Sequence, residues 1–296
     1  MKIKKLMCIL LAMCILCSFG SALAVNAQPG EARAVIGANL TEEQIATVYS
    51  MFNVERGSVT ELRVTNAEER SYLENFVDSS LIGTNSISCA YIEILEEGEG
   101  LQIATQNLSW CTQEMFVNAL VTGGISDARI IVAAPFEVSG TAALTGIYKA
   151  YEDITGEKLD EAAKLLSTQE LVITGELADE IGSYDAVEIV NELKLILNET
   201  KNMTDEELKA QIETIASEYN IKLVDSQYDQ LISLCRAFEN MDSDELKAKV
   251  EYVQNTAKKL AEAQEKVSGI TQTIKNVVEK VTEFVNRVIE LFTGKK

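Results

Sequence analysis

Residues 128–146, ARIIVAAPFEVSGTAALTG, decide the class of this fold. Ile130, Ile131, Val132, Ala133 and Ala134 are apolar without alternation, so a short strand buried on both faces is expected over 129–134, bounded by Pro135. A helix should follow over 141–154. A buried strand that empties through a glycine-bearing turn into a helix belongs to a sheet with helices packed against it.

The flanking sequence fits that class. Thr41-Glu42-Glu43-Gln44 is a capping box, so a helix is expected over 42–52. Val59, Leu62 and Val64 belong to a short strand. Asn66 with Glu69 starts a helix that carries Tyr72, Leu73, Phe76 and Val77 on its buried side. Residues 87–95 are strand-like, 96–100 turn the chain through two glycines, and 101–106 return as the hairpin partner. Thr112 caps a helix through Met115, Phe116, Ala119 and Leu120, which Gly123 and Gly124 end as a left-handed stop.

Beyond the quoted stretch the pattern is helical: 159–166, 169–181, 184–198, then a pair over 206–219 and 226–239 joined by an extended 220–224. In that pair Ile212, Ile215, Leu231, Leu234 and Phe238 face inward. The expected class is therefore α/β or α+β, a small mixed sheet with packed helices followed by an all-helical C-terminal extension. The chain divides into 1–27, a mixed α/β domain over 28–200, a helical extension over 201–266 and an amphipathic helix over 267–296.

Residues 1–27 read as a secretory signal peptide. Lys2, Lys4 and Lys5 precede an apolar run over 6–19, and Ala22-Leu23-Ala24 and Val25-Asn26-Ala27 each offer a small-x-small cleavage pattern. The run is too short to span a bilayer with ordinary flanks. Cys14 follows Met13 and Cys17 follows Leu16, so neither has the small residue that lipid attachment requires. Cleavage between residues 24 and 28 and an extracytoplasmic protein are expected.

The chain carries 46 acidic and 26 basic residues, a net charge of −20. Loss of the three signal lysines deepens it to −23. Such a field repels nucleic acid and anionic lipid, so no nucleic-acid partner is expected. Histidine is absent, which removes Ser-His-Asp and Cys-His mechanisms and histidine-based metal centres. Cys89, Cys111 and Cys235 remain after processing. One Cys89–Cys111 disulfide is open to them, packing as small hydrophobes is preferred, and without histidine they make a poor zinc site. No cofactor or metal is expected.

The phrases VIGANLTEEQ, VTNAEERSYL, IGTNSISCAYIEIL, VNALVTGG, ARIIVAAPFEVSGTAALTGIYKAYE and LVITGELADEIG closely resemble a secreted family of Gram-positive bacteria, domain of unknown function 1002. The resemblance runs from about Val35 to the helices near residue 260, with 139–146 and Ile82-Gly83-Thr84 its most specific parts. It implies an extracytoplasmic protein of about this length, and it brings no catalytic residues with it.

The candidate site is the turn that opens the 141–154 helix. Free backbone amides near Ser139, Gly140 and Thr141, with the hydroxyls of Ser139, Thr141 and Thr145, would hold a carboxylate, a phosphate or an acidic glycan end. It lacks the lysine of a P-loop. The plainer reading makes Ser139 or Thr141 an N-cap, with Gly140 and Gly146 for close packing. Asn240, Asp242, Asp244 and Glu251 follow a calcium-loop spacing, but Glu245 and Lys247 stand where glycine and an apolar residue belong, so a capped helix is preferred. Trp110 reads as core rather than as a sugar platform.

In the tail, Val267, Ile270, Ile274, Val277, Val281, Phe284, Val288 and Leu291 keep a heptad, widened by Val278, Val285 and Phe292. The preferred reading folds this helix back on the Leu246, Val250, Val253, Ala257, Leu260 face, and the other gives it to a partner or membrane surface. Together these features suggest a non-enzymatic envelope protein that binds an unidentified protein or wall component. The alternative is an enzyme or sensor acting on a small anion at 139–146.

Overall fold

A computed structural model describes residues 28–77 and 82–265. The expected signal segment and the tail helix over 267–296 lie outside them. The chain runs β1 (Ala32–Gly37), α1 (Glu42–Phe52), β2 (Thr60–Val64), α2 (Asn66–Leu73), β3 (Cys89–Ile94), β4 (Leu101–Leu108), α3 (Gln113–Thr122), β5 (Ala128–Val138) and α4 (Thr141–Thr155). Helices follow: α5 (Glu161–Ile181), α6 (Ser183–Leu195), α7 (Leu197–Thr200), α8 (Asp205–Glu218), α9 (Asp225–Phe238) and α10 (Ser243–Glu265). This is a mixed α/β fold with helices at its C-terminal side.

The strands form one sheet in the order β2-β1-β3-β5-β4. β1 lies parallel to β2 and β4 parallel to β5, while β3 runs antiparallel to both β1 and β5. Four strands therefore point one way and β3 the other. α1 covers one face, packing Ile45, Val48, Tyr49 and Phe52 on Ala34, Ile36, Tyr91 and Ala133. The opposite face carries Val35, Ile92, Ile130 and Val132, which share a core with α3 and α4. That core continues without interruption through α5, α6, α8, α9 and α10.

The expected 87–95/101–106 hairpin does not form, because β5 lies between β3 and β4. Its apolar run needs a strand on either side, and Asp127 at its start fixes the crossing: Oδ1 accepts from the amides of Gly98 (3.1 Å) and Gly100 (2.9 Å). β5 is also longer than expected and passes through Pro135. The missing amide is tolerated because β3 pairs only as far as Ala133, and beyond it the ladder is irregular: Gln106 faces Ala133 but Leu108 faces Val138.

The helices expected over 159–166 and 169–181 are one, α5. Ser167 and Thr168 donate to the Lys164 carbonyl at 3.0 and 2.8 Å, so these hydroxyls follow the helix instead of ending it. The cap of α2 is Thr65, one residue before the expected Asn66. Thr65 Oγ1 accepts the Glu68 amide at 3.2 Å and Glu68 Oε2 accepts the Thr65 amide at 2.8 Å. Gly124, at φ +93°, rather than Gly123, takes the left-handed conformation after α3.

Candidate functional site

Parallel strands bring their C-terminal ends together, and the helices that follow β1, β2, β4 and β5 all begin at that end: α1, α2, α3 and α4. In open α/β sheets this is where ligands bind, because helix N-termini and strand ends leave polar backbone facing the crevice. Three of these N-termini are capped by threonine. Thr41, Thr65 and Thr112 accept amides three residues on at 3.3, 3.2 and 3.3 Å.

α4 begins differently. Its N-cap is Gly140, at φ +100° and with no side-chain cap bond, so neither Ser139 nor Thr141 plays the capping role expected of it. A side chain at Gly140 would press on Leu108 (3.1 Å) and on Cys111 (3.3 Å), so the turn lies directly on the β4–α3 connection. The Ser139 carbonyl accepts the Cys111 amide at 3.0 Å. Thr141 Oγ1 donates instead to Glu69 Oε1, at 2.7 Å. Glu69 is only 2 % exposed, and Asn66 Nδ2 stands 3.5 Å from its other oxygen.

An internal carboxyl group thus takes up the Thr141 hydroxyl, one of the groups offered to an anionic ligand of the turn. Burial pushes Glu69 above the usual carboxylate range, with the Thr141 hydroxyl, the Asn66 amide and the charge of Arg70 pulling it partly back. Of the four residues expected to form a site, Ser139 is exposed, Thr141 half-buried, and Gly140 and Thr145 buried. Ser139 Oγ and Thr141 Oγ1 come within 3.5 Å, while Thr145 faces inward on the helix. Glu69 completes the arrangement and was not anticipated.

The family described as Protein of unknown function (DUF1002) matches residues 36–260. The chain belongs to this family. The match takes in the sheet and the helical stack together, from Ile36 in β1 to Leu260 in α10. The chain is also similar to a Bacillus subtilis (strain 168) protein named "Uncharacterized protein YpuA", 36% identical over 276 residues that cover 90% of this chain and 91% of that one. No solved structure matches the chain.

Within this DUF1002 chain the cysteines, Trp110 and Asp242 have partners inside the fold. Cys89, Cys111 and Cys235 are free and buried, so the Cys89–Cys111 disulfide does not form. Burial pushes Cys89 up to about 12 and Cys235 up to about 11, and raises Cys111 further, which suppresses the reactive thiolate at neutral pH. Trp110 lies against Gly175 of α5 and donates Nε1–H to Asp179 at 3.1 Å. It is half-buried and packs on the core. Asp242 Oδ1 accepts the amides of Asp244 (3.1 Å) and Glu245 (3.0 Å), the capped helix preferred over the calcium loop. Among the described residues no group of three or more carboxylates or thiols is placed to hold a metal, and no helix is long and apolar enough to cross a membrane.

One buried charged pair was invisible in the sequence. Lys194 of α6 and Glu170 of α5, both 0 % exposed, meet at 2.5 Å. Thr122 Oγ1 donates to the second Glu170 oxygen at 2.5 Å, and Lys194 Nζ also donates to the Asn118 carbonyl at 3.1 Å and lies 5.4 Å from the Phe238 ring centre. The pair locks α3, α5, α6 and α9 in register.

The tail lies outside the described residues; of its expected packing, only the α10 face lies within them. Leu246, Val250 and Val253 are buried in the main core, where α10 packs on α3 and α6.

Proposed function

We propose that this is an extracytoplasmic, non-enzymatic envelope protein: a rigid α/β body whose tail, residues 267–296, engages an envelope partner or surface. The observation that carries the reading is the hydrogen bond from Thr141, at the start of α4, to Glu69 of α2. A carboxyl group already buried against Thr141 would repel a carboxylate or phosphate at the same turn once ionised, and it fills the space when protonated. Buried thiols and the lack of histidine weigh in the same direction. Leu246, Val250 and Val253 are committed to the body, which leaves less of the α10 face for the apolar stripe of the tail and supports an external use for it.

The test compares three forms in a strain lacking the native copy: the full chain, the chain ending at residue 265, and a Ser139→Ala/Thr141→Val double variant. Thermal midpoints establish that each form folds, and fractionation reads retention in the envelope. The expected result is loss of retention on truncation and normal retention for the double variant. A folded double variant that loses retention, with the truncated form retained, would overturn the reading and move function to the turn.

A further inference from the structure

The two edges of the sheet are unlike. β2, at one edge, carries Glu61 and Arg63, which pair at 2.6 Å, and Arg56 and the Tyr49 hydroxyl also reach Glu61, at 3.1 and 2.9 Å. Charges along an edge are the common guard against pairing with another strand. β4, at the other edge, reads LQIATQNL and has no charge at all. The uncharged stretch extends over 101–113, in a chain where 24% of residues are charged. Ala104, Gln106 and Asn107 on this strand are exposed.

The surroundings of β4 add an exposed aromatic ring. The ladder slips between Gln106 and Leu108, where β5 loops out opposite Asn107, and Asn107 Nδ2 donates to the Ala134 carbonyl at 2.8 Å. Phe136 lies in that excursion, 48 % exposed. A bare edge and an exposed aromatic therefore adjoin on a body of strongly negative charge.

We propose that β4 pairs antiparallel with β4 of a second copy of this chain, about a two-fold axis at Ala104, making one ten-stranded sheet. The occupant follows from self-complementarity. Gln102, Ala104 and Gln106 share the α1 side of the sheet, since they register with Arg129, Ile131 and Ala133 of β5, while Ile103 and Thr105 share the other. Residues opposite each other in an antiparallel pair must lie on one face. Centring the pair on Ala104 sets Gln102 against Gln106 of the second copy and Ile103 against its Thr105. In the first, Gln106 already donates Nε2–H to the Met51 carbonyl at 3.1 Å, which leaves its Oε1 to accept from the facing Gln102 amide; the second is a β-branched pair of the kind that stabilises sheets. The smallest side chain sits on the axis. Arg129, which registers with Gln102 on β5, is paired with Glu93 at 2.8 Å. Elsewhere two such acidic bodies repel; along β4 no like charges meet, and the same patch on both copies gives a closed dimer.

The experiment uses the chain expressed without residues 1–27. Sedimentation should show a concentration-dependent dimer that strengthens as salt rises, since salt screens the long-range repulsion but not the strand pairing. Ala104→Lys sets two ammonium groups opposite each other at an exposed position and should weaken the dimer by at least tenfold while leaving the thermal midpoint unchanged. Ala104→Cys should cross-link to its counterpart under mild oxidation, against a silent background of buried thiols, and Glu97→Cys should not. A monomer at every concentration and salt overturns the proposal. So does a dimer that survives Ala104→Lys and fails to cross-link through Ala104→Cys, because it would lie on another surface.

Discussion

Replacing Lys194 by Met tests whether the buried pair between α5 and α6 is a lock or an ornament. Methionine keeps the length and most of the apolar stem, so packing against Phe238 is largely preserved. The change removes the ammonium from Glu170 (2.5 Å), leaving a fully buried carboxylate with only the Thr122 hydroxyl. Breaking one partner of a buried pair costs about 3–5 kcal/mol. For a chain of this size that corresponds to a fall of roughly 6–20 °C in the thermal midpoint. The control is Lys194→Met/Glu170→Leu, which removes both charges. Apolar replacement of a whole buried pair is often neutral or stabilising, so the double variant should recover most of the loss. Glu170→Gln adds a sign. Burial holds Lys194 below the ordinary lysine range, with Glu170 opposing that fall. A lysine lowered in the fold costs stability at every pH below its folded value, and the cost fades as pH approaches the unfolded value. The Gln variant should therefore be weakest near neutrality and gain relative to wild type on the way to about pH 10. Circular dichroism melts and urea titrations measure all three. A Met variant within about 1 kcal/mol of wild type, or a double variant worse than the single one, would refute the reasoning.

Two further outcomes follow from single positions. A Cβ at Gly175 would lie 2.2 Å from the Trp110 ring, so Gly175→Ala should displace the ring, cost about 1–3 kcal/mol and shift the emission of this lone tryptophan towards that of exposed indole; unchanged emission would show that the contact is dispensable. Glu69, raised by burial, contributes stability that is fully present below the unfolded glutamate value and declines as pH rises through the folded one. Glu69→Gln should flatten that decline at pH values above the unfolded glutamate value, whereas a parallel pH profile would contradict the raised direction.

Most of the fold was legible because local signals and tertiary demands agreed. Thr41 and Gln44 cap α1 as expected, α4 begins at Thr141, and Leu231, Leu234 and Phe238 of α9 face inward with Cys235 beside them. Strand order was not legible. Turn residues at 96–100 imply a reversal of the chain, and β4 does run opposite to β3, but no local signal says whether a reversing strand returns beside its predecessor or one place further out. That choice is set by β5, whose apolar run makes it a strand buried on both faces and therefore central. The break expected between 166 and 169 fails for a related reason: the hydroxyls there, Ser167 and Thr168, can end a helix or bond back within it, and the packing of α5 against α3 and α6 goes with the second.

The candidate site turned on a single residue of register. A helix turns about 100° per residue, so moving its cap from Asn66 to Thr65 rotates every role that follows. With Asn66 as cap, Glu69 would be the acid that reaches back to the first amides and stays at the surface. With Thr65 as cap, Glu68 takes that work, bonding the Thr65 amide and pairing with Lys149 at 2.6 Å. Glu69 is then carried round to the inner face, where it meets Thr141. Both assignments satisfy the capping rule equally well in the sequence. What separates them is the fate of Leu73, four residues beyond Glu69 and on the same side: it is buried with Ile82 and Val172. The apolar anchor fixes the rotation of α2, and the rotation places a carboxyl group under the turn that the sequence offered as an anion site.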